Sequence, residues 1–180
     1  MILHLVRHPR PVIPPNTCYG RLDMPAEEVE AAAERLRGLL PAGLPVWSSP
    51  LQRCRALAGC LHPAPAIDAR LQEMHFGDWE GLPWDAIGPG ALDAWVADVA
   101  GFVPPGGESG RAVQARALAF VADLAVDEAV IVTHGGVIRV LLAHWQQVPP
   151  AGWTALAVDY ATVTSVELTA NRAVLQRLNR

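Results

Sequence analysis

Ala129-Val130-Ile131-Val132-Thr133-His134-Gly135-Gly136 joins an apolar run to a histidine and two glycines. Residues 129–133 are apolar without alternation, the pattern of a strand covered on both faces of a parallel sheet. His134-Gly135-Gly136 turns the chain, and Val137 to Trp145 reads as a helix. Working outward from there, Arg111 to Leu124 is a second helix, with Val113, Ala117, Phe120, Val121 and Leu124 on one side. Toward the N-terminus, Ile2 to Val6 is another short apolar strand, ending at Arg7-His8-Pro9. Pro45 to Ser48 is a third, followed by Ser49-Pro50, an N-cap and first-turn proline for a helix from Leu51 to about Leu61. Glu27 to Leu40 is rich in helix formers, and Pro41 and Gly43 stop it. Ala66 to Leu71 is a further strand candidate. Thr162 to Thr169 and Arg172 to Leu178 look like two last strands joined at Ala170-Asn171. Strands alternating with helices predict a three-layer α/β/α fold around a mostly parallel sheet, one domain over residues 1–180.

Two stretches resist this reading. Pro9, Pro11, Pro14 and Pro15 forbid helix and sheet interior, so residues 7 to about 25 form a long loop, a length usually kept for function. Residues 72 to 110 lack periodicity and are rich in Gly, Pro and Trp, with one helix near Ala91 to Val99. They are expected to cover something.

Composition bounds the function. Of 180 residues, 51% are hydrophobic and 18% charged, which supplies a core and excludes global disorder. The net charge of −4 predicts neither a nucleic-acid nor a membrane-surface partner. No apolar run approaches the ~18 residues of a membrane span. Three cysteines without a CxxC pair fit reduced thiols, and the segment Met1–Val6 is too short for a signal peptide, so a cytoplasmic location is expected.

In open α/β sheets the binding crevice lies at the carboxyl ends of the strands. Here those ends carry Arg7-His8, Ser48-Ser49 with Arg53 a turn further on, and His134-Gly135-Gly136. If the three strands are parallel neighbours, two histidines and two arginines converge. Arginine offers a fork of donors matched to phosphate oxygens, and the glycines leave the N–H groups of a helix start open to an anion. Within an acidic chain this combination describes a phosphate pocket. The rivals are weaker. His4 and His8 lie ~13 Å apart along a strand and cannot share a metal. No cysteine is followed five residues later by arginine in a Gly-rich loop, and no GxxxxGK[ST] loop is present.

Leu5-Val-Arg-His8, Ser48-Ser-Pro-Leu-Gln-Arg53, Leu71-Gln-Glu73, Phe76-Gly-Asp-Trp-Glu-Gly81, Pro105-Gly-Gly-Glu-Ser109 and Val132-Thr-His-Gly-Gly136 resemble, in order, the signatures of the histidine phosphatase superfamily, in its phosphoglycerate mutase-like branch. The resemblance implies that His8 is the nucleophile that forms a phosphohistidine, that Arg7, Arg53 and His134 hold the phosphoryl oxygens, and that Glu73 gives a proton to the leaving oxygen. It implies no metal and no cofactor. His8 must be unprotonated to attack, which neighbouring cations favour. Glu73 must start protonated, which a dry surround from Phe76, Trp79 and Trp84 would favour.

The loop Cys18-Tyr-Gly-Arg-Leu-Asp-Met-Pro25 is similar to the alpha-ribazole phosphatase branch, implying hydrolysis of alpha-ribazole 5′-phosphate in cobalamin assembly. A broader small-molecule phosphatase, a phosphoglycerate mutase and a non-catalytic phospho-ligand binder are the alternatives. The partner expected is a small phosphate ester, and a homodimer stays open. Tyr19 could stack on the substrate or pack the loop. Arg21 could add a cation or tie the loop. Pro9 replaces the glycine usual after the nucleophile. Proline also stands at position 14, where many relatives have asparagine, leaving Asn16 as the candidate two residues on. Glu80 and Glu108 read as loop ties, Ser109 as a helix cap, and His62, His75 and His144 as surface or packing residues.

Overall fold

The computed structural model describes residues 1–170 and 172–180. The expected junction at Ala170-Asn171 thus lies partly outside the described residues. Among the described residues, six strands form one sheet: β1 (Ile2–Arg7), β2 (Val46–Ser48), β3 (Ala66–Ile67), β4 (Glu128–Thr133), β5 (Val163–Leu168) and β6 (Ala173–Arg177). Their order is β3-β2-β4-β1-β5-β6. The four strands on the β3 side run parallel, and β5 and β6 are antiparallel additions at the other edge. The predicted parallel neighbours β2, β4 and β1 are adjacent.

Alternation along β1 and β4 divides the core. Leu3, Leu5, Ala129 and Ile131 face one side, where α4 (Gly110–Ala122) and α5 (Gly135–Trp145) contribute Val113, Phe120, Ile138 and Leu141. Val6, Val130 and Val132 face the other, under α1 (Val29–Arg37) and α2 (Gln52–Leu61), which bring Ala33, Leu36 and Leu57. The three-layer expectation holds. A further helix, α3 (Pro89–Ala97), buries none of its residues.

Several boundaries moved for local reasons. α1 spans only 29–37, because Glu28 stands in the left-handed region at φ 49° and breaks the helix on its N-terminal side. α2 opens at Gln52 with no side-chain cap; its first free N–H is taken by Asp23 Oδ1 at 2.6 Å, while the Ser49 hydroxyl turns toward His134. The strand expected over 66–71 stops at Ile67. There Asp68 accepts a hydrogen bond from the Arg70 N–H at 2.8 Å and starts a short 3-10 turn over Ala69–Leu71. α5 begins at Gly135, two residues before its expected start, so both glycines belong to its first turn. Ser109 caps α4 as expected.

Ile131 sits fully buried in a central strand between both layers of contacts. Ile131→Ala should therefore cost about 2–5 kcal/mol of unfolding free energy. A loss under about 1 kcal/mol in urea unfolding would contradict this packing.

Candidate active site

The register of the central strands creates the site. Arg7 pairs opposite Thr133, and Ser48 opposite Val132, so three chains leave the sheet at one level. His8 N–H then bonds Thr133 O at 3.1 Å, and Ser49 N–H bonds Val132 O at 3.0 Å. The rings of His8 and His134 end with centroids 5.1 Å apart.

His8 is fully buried. Its Nδ1 lies 2.6 Å from Pro9 O, and a carbonyl can only accept, so Nδ1 carries the proton. The lone pair is therefore on Nε2, toward which Arg53 Nε–H points at 3.3 Å. Burial, and then the charges of Arg53 and Arg7, hold the His8 pKa well below its ordinary value. His134 is lowered in the same way by burial, His8 and Arg53. Its Nε2 meets Ser49 Oγ at 2.8 Å, with Cys54 Sγ 3.4 Å away. Burial makes Cys54 a poor acid, so it stays a packed thiol.

Arg53 is also fully buried, and Nη1 and Nη2 each donate to a loop carbonyl, of Leu22 and Gly20, at 2.7 Å. The proline-rich loop is thus anchored on the guanidinium that faces His8. Arg7 donates to Val158 O and lies 3.7 Å over the Tyr160 ring, while its buried Nε has no partner among the described residues. An orphaned guanidinium N–H in such a place is costly unless a ligand accepts from it. Glu73 is held by its carboxylate head: Oε2 accepts from Gly136 N–H and Oε1 from Met74 N–H, both at 3.0 Å. A methyl group at Gly136 would overlap Glu73 Oε1, which explains the glycine there.

A cavity of about 500 Å³ opens beside these groups, lined by the polar residues Arg7, Glu73 and Arg139 with Gly136, and by the apolar Phe76, Trp84, Trp95 and Val99. Tyr19 and Tyr160 also line it, joined through their hydroxyls at 2.9 Å, with ring centroids 6.5 and 5.7 Å from that of His8.

Seven of the residues singled out in the sequence therefore meet here: Arg7, His8, Tyr19, Arg53, Glu73, His134 and Gly135. Of these, Arg7, Tyr19 and Glu73 line the cavity, while His8, Arg53, His134 and Gly135 are buried beside it, and the other two candidates serve contacts elsewhere. Asn16 is exposed in a turn at φ 61°, its carbonyl accepting from Trp84 N–H. Arg21 turns its guanidinium to Glu108 and to Glu73 O, a tie within the protein rather than a contact for substrate. Of the expected dry surround, Phe76 and Trp84 line the cavity, while Trp79 stacks behind Phe76 and on Phe102. His4, on the neighbouring face of β1, is tied to Ser165 and Glu128 at 2.8 Å.

Tyr160 and Arg139 were not singled out. Tyr160 follows a segment without periodicity and gave no signal. Arg139 could have been found, because it stands four residues after Gly135 and shares that face of α5. Only its Nε is hydrogen-bonded among the described residues, to Leu156 O at 2.9 Å. Burial and the neighbouring Arg7 lower its pKa.

A neutral imidazole whose Nε2 meets only a guanidinium N–H, with further guanidinium groups and a carboxyl held at the adjoining helix start, is the arrangement of a phosphoryl-transfer site, and the sequence pattern defining the histidine phosphatase superfamily (branch 1) matches residues 3–180. The chain belongs to that superfamily. Among curated proteins it is similar to the glucosyl-3-phosphoglycerate phosphatase of Mycobacterium tuberculosis, 42% identical over 105 residues, or 50% of this chain and 47% of that protein. The same-named protein of Mycolicibacterium vanbaalenii is 37% identical over 152 residues, 74% of this chain and 66% of that one. The chain thus matches about half to two-thirds of the length of these relatives. Among solved structures, mycobacterial glucosyl-3-phosphoglycerate phosphatase in complex with VO3 superposes with a TM-score of 0.86 at 34% identity, covering 99% of this chain and 98% of that one. TTHB049 of Thermus thermophilus gives 0.82 at 36% identity with both chains covered in full.

Two buried neutral histidines have a consequence for stability. The unfolded chain protonates them near their ordinary pKa of about 6.5, and the folded chain does not. Below that pH the unfolded state binds more protons, so stability falls as pH drops through about 6.5 toward 5. The slope should reach about 1.4 kcal/mol per pH unit for each histidine. A His8→Asn/His134→Asn double variant should show a flatter dependence in urea unfolding between these values. Parallel curves for the two proteins would mean that the imidazoles are not held neutral.

Proposed function

We propose that this protein is a phosphomonoester hydrolase that acts through a phosphohistidine on His8. The observation that carries this reading is the committed Nδ1 proton, which leaves a neutral Nε2 beside the guanidinium groups of Arg53 and Arg7. In the first step the Nε2 lone pair forms a bond to phosphorus as the ester P–O bond breaks, and the Glu73 carboxyl gives its proton to the departing alcohol oxygen. In the second step water attacks phosphorus, the P–N bond breaks, and Glu73 recovers a proton from that water. Phosphate leaves and His8 is neutral again. Arg7, with its orphaned Nε, Arg53, His134 and the open first turn at Gly135 neutralise the phosphoryl oxygens, which is most of what such a transfer needs. No step calls for a metal. Because His8 is buried, substrate reaches Nε2 only after side chains shift, and the Arg53 Nε–H on Nε2 has to release it for the bond to phosphorus to form.

The substrate on this reading is a small phosphate ester with a ring-bearing alcohol laid against Phe76, Trp84 and Trp95. The charge count favours a second anionic group on it. With Glu73 protonated, Arg7, Arg53 and Arg139 present three cations, of which a phosphate dianion offsets two. The Arg139 fork suits a carboxylate, as in glucosyl-3-phosphoglycerate, the compound in the names of the mycobacterial relatives. The apolar wall by itself would equally suit the flat base of alpha-ribazole 5′-phosphate. A cytoplasmic location and a small-molecule partner rather than a nucleic acid or a membrane belong to the same reading, which leaves the oligomeric state open.

Glu73→Gln should lower kcat/KM for alkyl phosphates by ~10²–10⁴-fold, and far less for p-nitrophenyl phosphate, whose leaving oxygen needs no proton. His8→Ala should abolish turnover of both. Equal losses on the two esters in Glu73→Gln would remove the acid role, and near-normal turnover in His8→Ala would sink the hydrolase reading. In a panel, glucosyl-3-phosphoglycerate should exceed 3-phosphoglycerate in kcat/KM by about tenfold or more, the scale of one good ring contact. A preference for alpha-ribazole 5′-phosphate would select the second substrate, and a preference for bare phosphoglycerate would refute the ring-binding wall.

A further inference from the structure

Glu73 lies in a segment without regular structure, between the 3-10 turn at Ala69–Leu71 and another at Gly77–Trp79. No strand ladder or helix fixes its backbone. Its place is set by side chains from elsewhere. Glu73 O accepts from Arg116 Nη2 at 3.0 Å and from Arg21 Nε at 3.1 Å. Arg116 also reaches back along the same segment, Nη1 donating to Arg70 O at 2.6 Å. Glu108 binds both cations: Oε1 lies 2.7 Å from Arg21 Nη2 and 2.8 Å from Arg116 Nη2, and Oε2 lies 3.2 Å from Arg116 Nε. The same Oε1 accepts from His75 N–H at 2.9 Å.

From this geometry we infer that Glu108, Arg116 and Arg21 are positioning residues that set where the Glu73 carboxyl meets the substrate. The inference rests on the hydrolase reading with Glu73 as the proton donor. Three elements converge on the backbone of residues 70–75: Arg116 from the rigid helix α4, Glu108 from just before its cap, and Arg21 from the proline-rich loop. The carbonyls at 70 and 73 and the N–H at 75 are all gripped. The carboxylate head is held separately, by the N–H groups of Gly136 and Met74. The body of the acid is thus tied to α4 and its head to α5.

The chemistry of the three side chains suits this task. One guanidinium can serve two carbonyls and a carboxylate at once because its donors lie in a fixed planar fork, and an ammonium cannot. Glu108 cancels a charge that two arginines would otherwise press on the acid from behind. Burial opposes its ionisation, but Arg116, the His75 N–H and Arg21 outweigh that and hold its carboxyl below the usual range. Glu108 and Arg116 are largely shielded, with 17% and 16% of their side chains exposed, so this pair is screened less than a surface one. The clamp also links the acid to the proline-rich loop, because Arg21 N–H is held by Glu80 Oε1, which accepts from Phe76 N–H as well.

The test separates positioning from plain support of the fold. Arg116→Lys and Glu108→Gln are measured with glycerol phosphate and p-nitrophenyl phosphate through kcat/KM, which reports the steps up to transfer onto His8. Melting temperature and a nitrophenolate burst provide controls. Arg116→Lys should lose ~10–10²-fold on glycerol phosphate, the range expected of a misplacement near 1 Å, and under about threefold on p-nitrophenyl phosphate. Glu108→Gln, close to isosteric, should show the same split at smaller size and keeps the question open to test if the lysine variant does not fold. Equal loss on both esters, or no loss on either, in a folded variant overturns the clamp. Glu73→Gln in the same assay distinguishes the two readings: if it shows no dependence on the leaving group, the acid assignment has failed.

Discussion

Parallel pairing of β1, β4 and β2 in one register is the constraint on which everything else depends. A slip by one residue would turn Arg7 to the opposite face and carry Leu3 and Leu5 out of their layer. The same register that buries Ile131 and Val132 therefore determines that His8, Ser49 and His134 leave the sheet side by side. Core packing and site geometry are one decision here. The apolar cost of a wrong register guards the chemistry at strand ends that contribute nothing to the core themselves.

What those ends hold is expensive for the fold. Arg7, Arg53 and Arg139 lie close together around the Glu73 carboxyl, and two imidazoles are buried in neutral form. The chain offsets part of this locally. Arg53 is spent on the carbonyls of Leu22 and Gly20, Arg7 leans on the Tyr160 ring, and His8 Nδ1–H donates a hydrogen bond to Pro9 O. Pro9 suits that role, since proline presents a carbonyl and no N–H beside the imidazole. The remaining imbalance, an orphaned Arg7 Nε and a net positive floor, is what a bound phosphate would relieve.

How much of this was legible in the sequence follows from which interactions are local. Continuous apolar runs at 2–6 and 129–133 mark buried parallel strands, and residues directly after them inherit a position, so Arg7, His8 and His134 could be placed without coordinates. Glu73 could be named only through its resemblance to a family signature. Arg21 and Asn16 were read as pocket residues because they lie in the loop after His8. Nothing in a loop of prolines tells which way a side chain turns, and Arg21 turned to Glu108, 87 residues away in sequence. Tyr160 has the same difficulty from the other side: its partners Arg7 and Tyr19 are some 140 residues or more distant. The strand at 66–71 was too long because Asp68 prefers to cap its own turn, a side-chain competition that apolar pattern does not register.

The irregular stretch from 72 to 110 follows from the same logic. A strand would fix Glu73 more firmly, but it would also commit the backbone at 75 and 76 to ladder partners. As a loop, the segment keeps those N–H groups for carboxylates, His75 for Glu108 and Phe76 for Glu80. Its rigidity comes from charge-assisted bonds, stronger individually than neutral ones. The tight approach of Gly77 and Gly107 to one another's backbone, where an added methyl would collide, closes the loop on itself. The acid is thereby held by a frame of charges rather than by the sheet, and the same frame fixes Phe76, on which Trp84 and Trp95 pack to build the aromatic wall.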